Sequence, residues 1–471
     1  MKAMMTLAEA LKWIPGGRLV GDGSIAVTRV HTDSRTLQHG DLFVALKGER
    51  FDASDFLGGA GASGAVAALA HHGKLPTGMS GIEVDDTKLA LGALSAGWRS
   101  QFTLPLIAVT GSNGKTTVTQ MIASILRAWK PDAMLATQGN FNNDIGLPLT
   151  LLRLRAEHCI GVIELGMNHP GEIAYLAAIA KPTVALVNNA HREHQEFMAT
   201  VEAVARENGS VIATLAASGV AVFPAGDEFT PVWSELAGQR PCMVFGTASE
   251  LAFGKPANIV LAGTEWQGGH WQVDVQTAAG AVAYRLHIAG RHNVRNSLAA
   301  VACALAAGVP LAAIAQGLER FEPVKGRSRA LSVSVAGRAI TLVDDTYNSN
   351  PDSARAAIDV LAELPAPRLL VLGDMGEVGD QGPEFHAEVG DHAREMRIDQ
   401  LFTLGEQSKA MRGWHFTDIE SLTVAVLAEL VSASSVLVKG SRFMKMERVV
   451  EAIVQHAHQP GQTGKEASHA A

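Results

Sequence analysis

The segment from Leu104 to Val118, LPLIAVTGSNGKTTV, has the residue types and spacing of a phosphate-binding turn between a strand and a helix. Its glycines let backbone amides approach an anion closely, and the N-terminus of the following helix adds partial positive charge. Lys115 can reach the outer phosphates of a nucleotide, and the Thr116 hydroxyl can bind magnesium. Val109 stands where the regular phosphate loop has its first glycine, so this turn is a shorter variant. The segment predicts binding of ATP with Mg²⁺.

Two polar residues stand where later strands of the chain are expected to end. Glu164 follows the apolar run 160–163, and His191 comes shortly after the run 183–187. Because the carboxyl ends of parallel strands meet at one edge of a sheet, both side chains are expected beside the phosphate loop. A lone acid or histidine is nevertheless more often a solvated or structural residue than a metal ligand. The residues alone leave a magnesium site and a structural role equally open.

Several loops are rich in amide or charged side chains. The loop 137–148, TQGNFNNDIGLP, holds three asparagines and a threonine, which can be turn residues only or the hydrogen-bonding wall of a polar substrate. Residues 344–352 can bind ribose hydroxyls or an amine, and residues 438–442, VKGSR, suit an anion. The segment 290–297, GRHNVRNS, opens an alanine-rich helix. Helix capping alone would explain 290–297 and 344–352 equally well.

The elements that must position these residues alternate in type from residue 106 onward. This alternation predicts a parallel sheet with helices on both faces, built from strands 106–110, 160–164, 183–187 and 219–223 and helices 115–129, 171–179 and 200–216. The expected later elements are antiparallel strands within 251–288, a helix at 291–307, a hairpin at 329–343, and strands at 369–373, 401–405 and 436–440.

The predicted fold class is therefore α/β with three domains. Residues 1–103 mix short strands with a Gly/Ala-rich stretch and form a smaller α/β domain. Residues 104–322 are the central P-loop ATP-binding domain with the parallel sheet, and 323–458 form a Rossmann-like C-terminal domain. The small and polar segment 459–471 is expected to be a disordered tail.

Composition narrows the class of protein. Of the 471 residues, 47% are hydrophobic and only 18% are charged, which indicates well-packed globular domains. A net charge of -8 without a basic run argues against a nucleic-acid partner. The three cysteines are far apart, as is typical of buried thiols in a reducing compartment, and no signal peptide or spanning helix is evident. We predict a cytoplasmic monomer that does not insert into a membrane.

Taken together, these motifs resemble those of the Mur ligase family, which adds amino acids or a dipeptide to the peptidoglycan precursor. The resemblance covers nearly the whole chain and is carried by TGSNGKTT at 110–117, HNVRN at 292–296, GR at 326–327 and DDTYNSNP at 344–351. The member that attaches D-alanyl-D-alanine to UDP-N-acetylmuramoyl-tripeptide is most similar in TDSR at 32–35, GDLFVALKG at 40–48, QGNFNNDIGLP, ELGMNHPGEI and GDMGEVG at 373–379. No DNPR motif for diaminopimelate recognition is present, which argues against the preceding ligase.

The resemblance implies an activity and a set of site residues. ATP would phosphorylate the carboxylate of the tripeptide, and the amine of the dipeptide would attack the acyl phosphate. By resemblance, the catalytic residues are Lys115, Glu164 and His191, and the magnesium ligands are Thr116, Glu164 and His191. The implied ATP contacts are Gly111, Ser112, Asn113, Gly114, Lys115, Thr116 and Thr117, with Asn296 at adenine, Arg327 at phosphate and Asp345 at ribose.

Substrate contacts are implied in the same way. The N-terminal domain would bind the UDP-linked substrate, with Ser34 and Arg35 at the uridine diphosphate. The muramoyl-peptide would lie along the amide loop, at Thr137, Asn140, Asn142 and Asn143. The dipeptide would lie near Tyr347 and Asn348.

Two positions depart from the family pattern. Many relatives carry a carbamylated lysine that binds a second magnesium ion where this chain has Asn208, and a carbamate cannot form on asparagine. Glu207, Asn208 or solvent then supports the second ion, or its site is built differently. Residues 52–55, DASD, replace the DGHD of many relatives, which weakens any assignment of substrate contacts to that loop.

Two other functions stay open at this point. One is another amide ligase of the same superfamily, such as a folylpolyglutamate synthase, against which TDSR at 32–35 favours a UDP-linked substrate. The other is a nucleotide-gated regulatory protein, which would have no need of the amide loop or of a second candidate metal ligand.

Overall fold

The computed structural model describes residues 3–48, 51–193, 198, 200–252, 255–267 and 270–458. The elements of the N-terminal unit are β1 (Met5–Thr6), α1 (Leu7–Leu11), β2 (Arg18–Val20), β3 (Ala26–Val27), β4 (Arg29–His31), β5 (Asp41–Val44), α2 (Leu57–Ala60), β6 (Ala65–His71), β7 (Gly81–Val84) and α3 (Thr87–Arg99). Five strands form a sheet in the order β2, β7, β6, β5, β4, in which only the β2–β7 pair is antiparallel.

Helix α3 connects this unit to the next. Its first turn is capped by the Asp86 carboxylate, which accepts hydrogen bonds from the backbone N–H groups of Lys88 and Leu89. At its last residue, the buried Arg99 guanidinium donates to the backbone carbonyls of Ala180 and Phe102. These carbonyls replace water as partners of the buried cation, so Arg99 fixes the end of α3 against the central unit.

The central unit is built around a nine-stranded sheet. Its elements are β8 (Leu106–Thr110), α4 (Lys115–Trp129), β9 (Met134–Ala136), α5 (Gly146–Leu151), β10 (Ile160–Glu164), α6 (Glu172–Ala180), β11 (Val184–Val187), α7 (Val201–Ala213), β12 (Val220–Pro224), α8 (Thr230–Ala237), β13 (Cys242–Thr247), β14 (Leu251–Ala252), β15 (Lys255–Pro256), β16 (Ile259–Gln267), β17 (His270–Thr277), β18 (Gly280–Leu286), α9 (Arg291–Ala306) and α10 (Leu311–Glu319). The order is β18, β17, β16, β13, β12, β11, β8, β10, β9, and only the β16–β17 and β17–β18 pairs are antiparallel.

Strand β8 shows why this sheet is covered on both faces. All five of its residues are buried, and successive side chains enter different cores. Leu106 and Ala108 belong to the core shared with α3 and α6, whereas Ile107 and Val109 belong to the core shared with α4 and α9. A strand buried on both faces reads as a continuous apolar run, as this one does.

The C-terminal unit has a six-stranded sheet. Its elements are β19 (Arg329–Val335), β20 (Arg338–Asp345), α11 (Pro351–Ala362), β21 (Arg368–Gly373), α12 (Gly382–Glu395), β22 (Gln400–Leu404), β23 (Trp414–Phe416), α13 (Ile419–Glu429), β24 (Ser435–Lys439) and α14 (Glu447–His458). The strand order is β19, β20, β24, β21, β22, β23, and only the β19–β20 hairpin is antiparallel.

The predicted α/β class is confirmed, and most predicted elements lie within a few residues of their observed bounds. Within the central unit, the sequence patterns missed β9, α5, α8, β13 and α10, and they did not show that β16 pairs in parallel with β13. The predicted domain limits at 103 and 322 stay predictions, and the predicted tail 459–471 lies outside the described residues. Within the described ranges, every helix is too short or too polar to cross a bilayer.

Candidate active site

A cavity of about 1670 Å³ is lined by residues of all three units. Lys88 and Leu89 of α3 form one wall, and the phosphate loop after β8 forms the floor. The last residue of β20, Asp345, and residues 347–350 of the loop after it lie on the opposite side. The strands β8, β10 and β11 are neighbours in one parallel sheet, so the residues that follow them open into this one space.

The phosphate loop has the conformation that its glycines permit. Gly111 and Gly114 have φ angles of 132° and 80°, in the region that side chains disfavour. A Cβ atom on Gly114 would lie 2.6 Å from Oδ1 of Asn296. The loop therefore requires glycine at position 114 for both its backbone angle and its packing.

Asparagines from two other elements hold the phosphate loop in place. The Asn113 N–H donates to Oδ1 of Asn189 over 2.8 Å, and the Asn113 carbonyl accepts from the side-chain amides of Asn188 and Asn189. The same Asn188 amide donates to Oδ1 of Asn296 over 2.9 Å. Asn188 and Asn189 were missed in the sequence, although a pair of amides directly after β11 was the available signal.

Lys115 is held within the loop that it follows. Its ammonium group donates to the carbonyls of Gly111 and Ser112 and lies 3.1 Å from Oε2 of Glu193. Glu193 is buried, with 6% of its surface exposed, and it too was missed in the sequence. A phosphate entering the loop would compete with these groups for the lysine.

Glu164 has the environment of a cation ligand. Its Oε1 accepts from Nδ2 of Asn142 over 2.7 Å and from the Thr116 hydroxyl over 3.3 Å. In the described part of the chain, its buried Oε2 has no hydrogen-bond partner, which is costly for a carboxylate oxygen unless a cation binds there. The expected pairing of Thr116 with Glu164 is thus observed. Among the described residues, no group of three or more His, Cys, Asp or Glu side chains converges on one point.

His191 lies in the same cavity, but its bonds to the phosphate loop come from its backbone. Its N–H donates to the Ser112 hydroxyl over 2.9 Å, and its carbonyl accepts from that hydroxyl over 3.2 Å. Burial raises the pKa of Asp352, and bonds from Arg192 together with the charge of His191 bring it below its usual value. The N–H of the adjacent Arg192 donates to Asp352 over 2.9 Å, so this segment contacts the C-terminal unit as well as the loop.

The C-terminal unit places Arg327 over the phosphate loop. Its Nη2 donates to the Thr116 hydroxyl over 3.2 Å, and its buried Nε has no hydrogen-bond partner in the part of the chain that the structure describes. Asp345 accepts from Lys439 Nζ over 2.7 Å and from the Ser328 N–H over 2.9 Å. Burial raises the pKa of Asp345, but Lys439 and Ser328 hold it below its usual value.

Each of the three units is similar to a known protein family. Residues 26–99 match the family described as "Mur ligase family, catalytic domain", residues 109–304 "Mur ligase middle domain", and residues 326–442 "Mur ligase, glutamate ligase domain". The UDP-N-acetylmuramoyl-tripeptide--D-alanyl-D-alanine ligase of Escherichia coli (strain K12) is 39% identical over 461 residues, which cover 96% of this chain and 99% of that protein. The chain belongs to the Mur ligase family.

Solved structures agree with this membership. MurF from Acinetobacter baumannii is 34% identical with a TM-score of 0.86, and the match covers 96% of this chain and 99% of that one. The MurF ligase from Thermotoga maritima in complex with ADP is 25% identical with a TM-score of 0.79, covering 91% and 97%. The predicted ATP-dependent amide ligase of three domains is confirmed.

In this Mur ligase, the acid and the amide considered for a second magnesium ion already have hydrogen-bond partners in the protein. Asn208 is buried, and its Oδ1 accepts from the Thr110 hydroxyl over 2.5 Å and from the Gly111 N–H over 3.0 Å. The Glu207 carboxylate accepts from the N–H groups of Gly171 and Ile173 at the start of α6. Neither side chain is among the residues that line the cavity.

Most of the predicted site residues of this Mur ligase are brought together. Those lining the cavity are Ser112, Asn113, Gly114, Lys115, Thr116, Thr117, Asn140, Asn142, Asn143, Glu164, His191, Asn296, Arg327, Asp345, Tyr347 and Asn348. Gly111 and Thr137 are not lining residues, and the buried Thr137 hydroxyl instead accepts from the Glu164 N–H over 3.0 Å. Ser34 and Arg35 also lie outside the cavity, in a short helical turn of the N-terminal unit.

Proposed function

We propose that this Mur ligase joins D-alanyl-D-alanine to UDP-N-acetylmuramoyl-tripeptide, with conversion of ATP to ADP and phosphate, in peptidoglycan precursor synthesis. The observation that carries this proposal is the cavity in which the phosphate loop, Glu164 and Arg327 meet at the junction of three units. The E. coli ligase with this substrate pair in its name matches the chain almost end to end, which supports the same substrates here. The match also favours this reaction over a folylpolyglutamate synthase.

We propose that Thr116 and Glu164 hold a magnesium ion and that Lys115 and Arg327 contact the phosphates of ATP. Two observations support this assignment: Glu164 Oε2 and Arg327 Nε are both buried, and neither has a hydrogen-bond partner within the described ranges. The first suits a cation and the second suits an anion. When bound, magnesium would neutralise charge on the phosphates. His191 is a further candidate ligand.

The chain's own groups would mainly neutralise charge and align the reactants. The Lys115 ammonium would follow the transferring phosphoryl group, and Arg327 would donate to it from the other unit. We propose that Asn140, Asn142 and Asn143 position the muramoyl-peptide and that Asn348 contacts the dipeptide, with Tyr347 beside it. Asn296 would contact adenine and Asp345 would contact ribose, each through hydrogen-bonding positions that its partners in the protein do not occupy.

We further propose that the UDP end of the substrate lies along the N-terminal unit, at Ser34 and Arg35. Both residues lie outside the cavity, so the peptide would extend from them toward the phosphate loop. Arg35 is paired with Asp33 at 2.7 Å.

A monomer would suffice for the reaction, because one chain supplies every wall of the cavity. The three cysteines are free thiols, which is compatible with the proposed cytoplasmic location.

The test is phosphate release with ATP, magnesium, UDP-N-acetylmuramoyl-tripeptide and either D-alanyl-D-alanine or single amino acids, followed by mass spectrometry of the product. Dipeptide-dependent release with formation of the UDP-linked pentapeptide is expected. Release that depends on a different amine would contradict the proposed substrate. Hydrolysis that ignores both the carboxylate and the amine would instead favour a nucleotide-gated regulator.

A further inference from the structure

Arg327 is held differently from the other cations of the cavity. Lys115 lies 3.1 Å from Glu193, Arg192 lies 2.6 Å from Asp352, and Lys439 lies 2.7 Å from Asp345. Over the described residues, Arg327 forms no ion pair, and its one side-chain hydrogen bond goes to the Thr116 hydroxyl. A long side chain without a carboxylate partner needs another contact to fix its direction.

That contact is the aromatic face of Tyr347. The Arg327 guanidinium carbon lies 3.9 Å from the centroid of the Tyr347 ring. An arginine stacked on an aromatic face keeps its full charge and its N–H donors, whereas a carboxylate partner would neutralise part of that charge. The ring therefore suits a guanidinium that must remain available to an anion, and its unpartnered Nε is such a donor.

The backbone around this stack is fixed by several hydrogen bonds. The Tyr347 N–H donates to the Gly326 carbonyl over 3.1 Å, and the Gly326 N–H donates to Asp344 over 2.9 Å. Gly326 has a φ of 79°, and a Cβ atom there would lie 3.2 Å from the Tyr347 nitrogen. The turn that carries Arg327 and the loop that carries Tyr347 are thus joined as one piece.

We propose that Tyr347 is the positioning residue for Arg327, setting the guanidinium over the phosphate loop. This assignment rests on the proposed ATP-dependent ligation and replaces a direct dipeptide contact as the main contribution of the Tyr347 ring. Arg442, whose guanidinium lies 6.0 Å from the same ring, approaches it as a second cation. The phenolic hydroxyl is not needed for this function, because the stacking uses the ring face alone.

The test compares Tyr347→Leu with Tyr347→Phe, with Trp414→Leu as the control. Trp414 is 74% exposed and lies in the same unit outside the cavity. Tyr347→Leu is expected to weaken binding of a non-hydrolysable ATP analogue and to lower kcat, each by about tenfold, the size of a desolvated cation–π contact. Tyr347→Phe should recover most of that loss, and the KM for D-alanyl-D-alanine should change less than twofold in both.

A double-mutant comparison sharpens the result. In an Arg327→Ala background, Tyr347→Leu should cause no further loss of ATP-analogue affinity, because the ring then no longer has the Arg327 guanidinium to position. Additive losses would overturn the proposal. A raised KM for the dipeptide with unchanged nucleotide affinity would overturn it as well, since it would restore a dipeptide contact.

The nucleotide-binding measurement keeps this proposal separate from the proposed reaction. If the protein binds the ATP analogue but ligates no dipeptide, the reaction is wrong while the effect of Tyr347 on binding can still be read. Thermal unfolding of each variant shows whether it is folded. If Tyr347→Leu does not fold, then Tyr347→Phe with tenfold weaker analogue binding would by itself contradict the ring-face proposal.

Discussion

The ammonium group of Lys115 already has three partners in the protein. Two are carbonyls of the loop itself, and the third is the buried Glu193 carboxylate. The lysine is thereby held at the site where the outer phosphates are proposed to bind. A carboxylate beside it also means that phosphate and Glu193 compete for one charge.

Lys115→Ala is expected to lower kcat for ligation by roughly 10²- to 10³-fold, because it removes a charge used on the transferring phosphoryl group. It should also lower the free energy of unfolding by about 1–3 kcal/mol, since Glu193 loses a charged hydrogen bond. Adding Glu193→Gln should restore stability without restoring turnover. Urea unfolding and phosphate release check the two effects, and the control is Lys130→Ala, directly after the last residue of the same helix. Normal turnover by Lys115→Ala would reject the ATP site.

Asn208, which stands where many relatives carry a carbamylated lysine, forms hydrogen bonds within the protein. Its amide bonds to Thr110 and Gly111 support the phosphate loop from beneath, and its Nδ2 donates to the Val204 carbonyl. All of these partners lie inside the protein rather than in the cavity. A residue suspected as a metal substitute is therefore part of the loop's structural support.

At the scale of elements, the phosphate turn depends on close approach between β8, α4 and α9. Gly114→Ala is expected to weaken ATP binding at least tenfold, because its Cβ would meet Asn296 at 2.6 Å and the backbone has a φ of 80°. Gly308→Ala is the matched control, with a φ of 82° and nothing within 4 Å. Equal ATP affinity in the two variants would contradict the predicted effect of the close approach between Gly114 and Asn296.

The sequence predicted those features that are local along the chain. The strand, turn and helix from Leu106 to Trp129 were predicted at their observed bounds, because apolar runs and glycines signal them directly. The position of Glu164 beside the phosphate loop, where it contacts Thr116, was predictable because the carboxyl ends of parallel strands meet at one edge of the sheet. Helix α8 and strand β13 carried no comparable signal and were missed.

The contacts that complete the site were not predictable in this way. Glu193 meets Lys115 across 78 positions, and Asn208 meets Gly111 across 97. Such pairs depend on how the helices and strands pack against one another, and the spacing of residues along the chain does not show that packing. Ser34 and Arg35 show the reverse case, in which a motif was evident but its position outside the cavity was not.

For the whole molecule, the main feature is an ion-pair cluster between the central and C-terminal units. Arg192, which follows β11, pairs with Asp352 of α11 at 2.6 Å and with Glu388 of α12 at 2.7 Å. Arg355 adds a second cation to Glu388 at 2.6 Å. Since Arg192 directly precedes Glu193, the cluster also adjoins the partner of Lys115.

Arg192→Gln is expected to increase the radius of gyration of the free protein, because it removes both ion pairs of Arg192 between the units. Small-angle X-ray scattering measures this, with Arg206→Gln as control since Arg206 pairs within α7 with Glu202. Nucleotide and UDP-substrate should restore part of the compaction, as expected where closure accompanies catalysis. An unchanged radius in the variant would show that these ion pairs do not hold the units together.

The same cluster predicts a dependence on pH. Bonds from Arg192, opposed by burial and aided by Arg355, lower the pKa of Glu388 from 4.5 to about 2. A depressed carboxyl pKa contributes stability above the unfolded value and loses it as pH falls through the folded value. Scattering should therefore show constant compaction from pH 8 to about 5, with loss only as pH falls from 4.5 toward 2. Expansion of the protein already at pH 6 would contradict this.

The support of the phosphate loop by asparagine amides has a consequence for ionic strength. Asn188, Asn189 and Asn208 carry no charge, so dissolved ions do not screen their bonds to the loop. The attraction between Lys115 or Arg327 and the anionic nucleotide is screened by salt. Concentrated salt should accordingly empty the loop of nucleotide while leaving its shape intact, so affinity lost in this way would return on dilution without refolding.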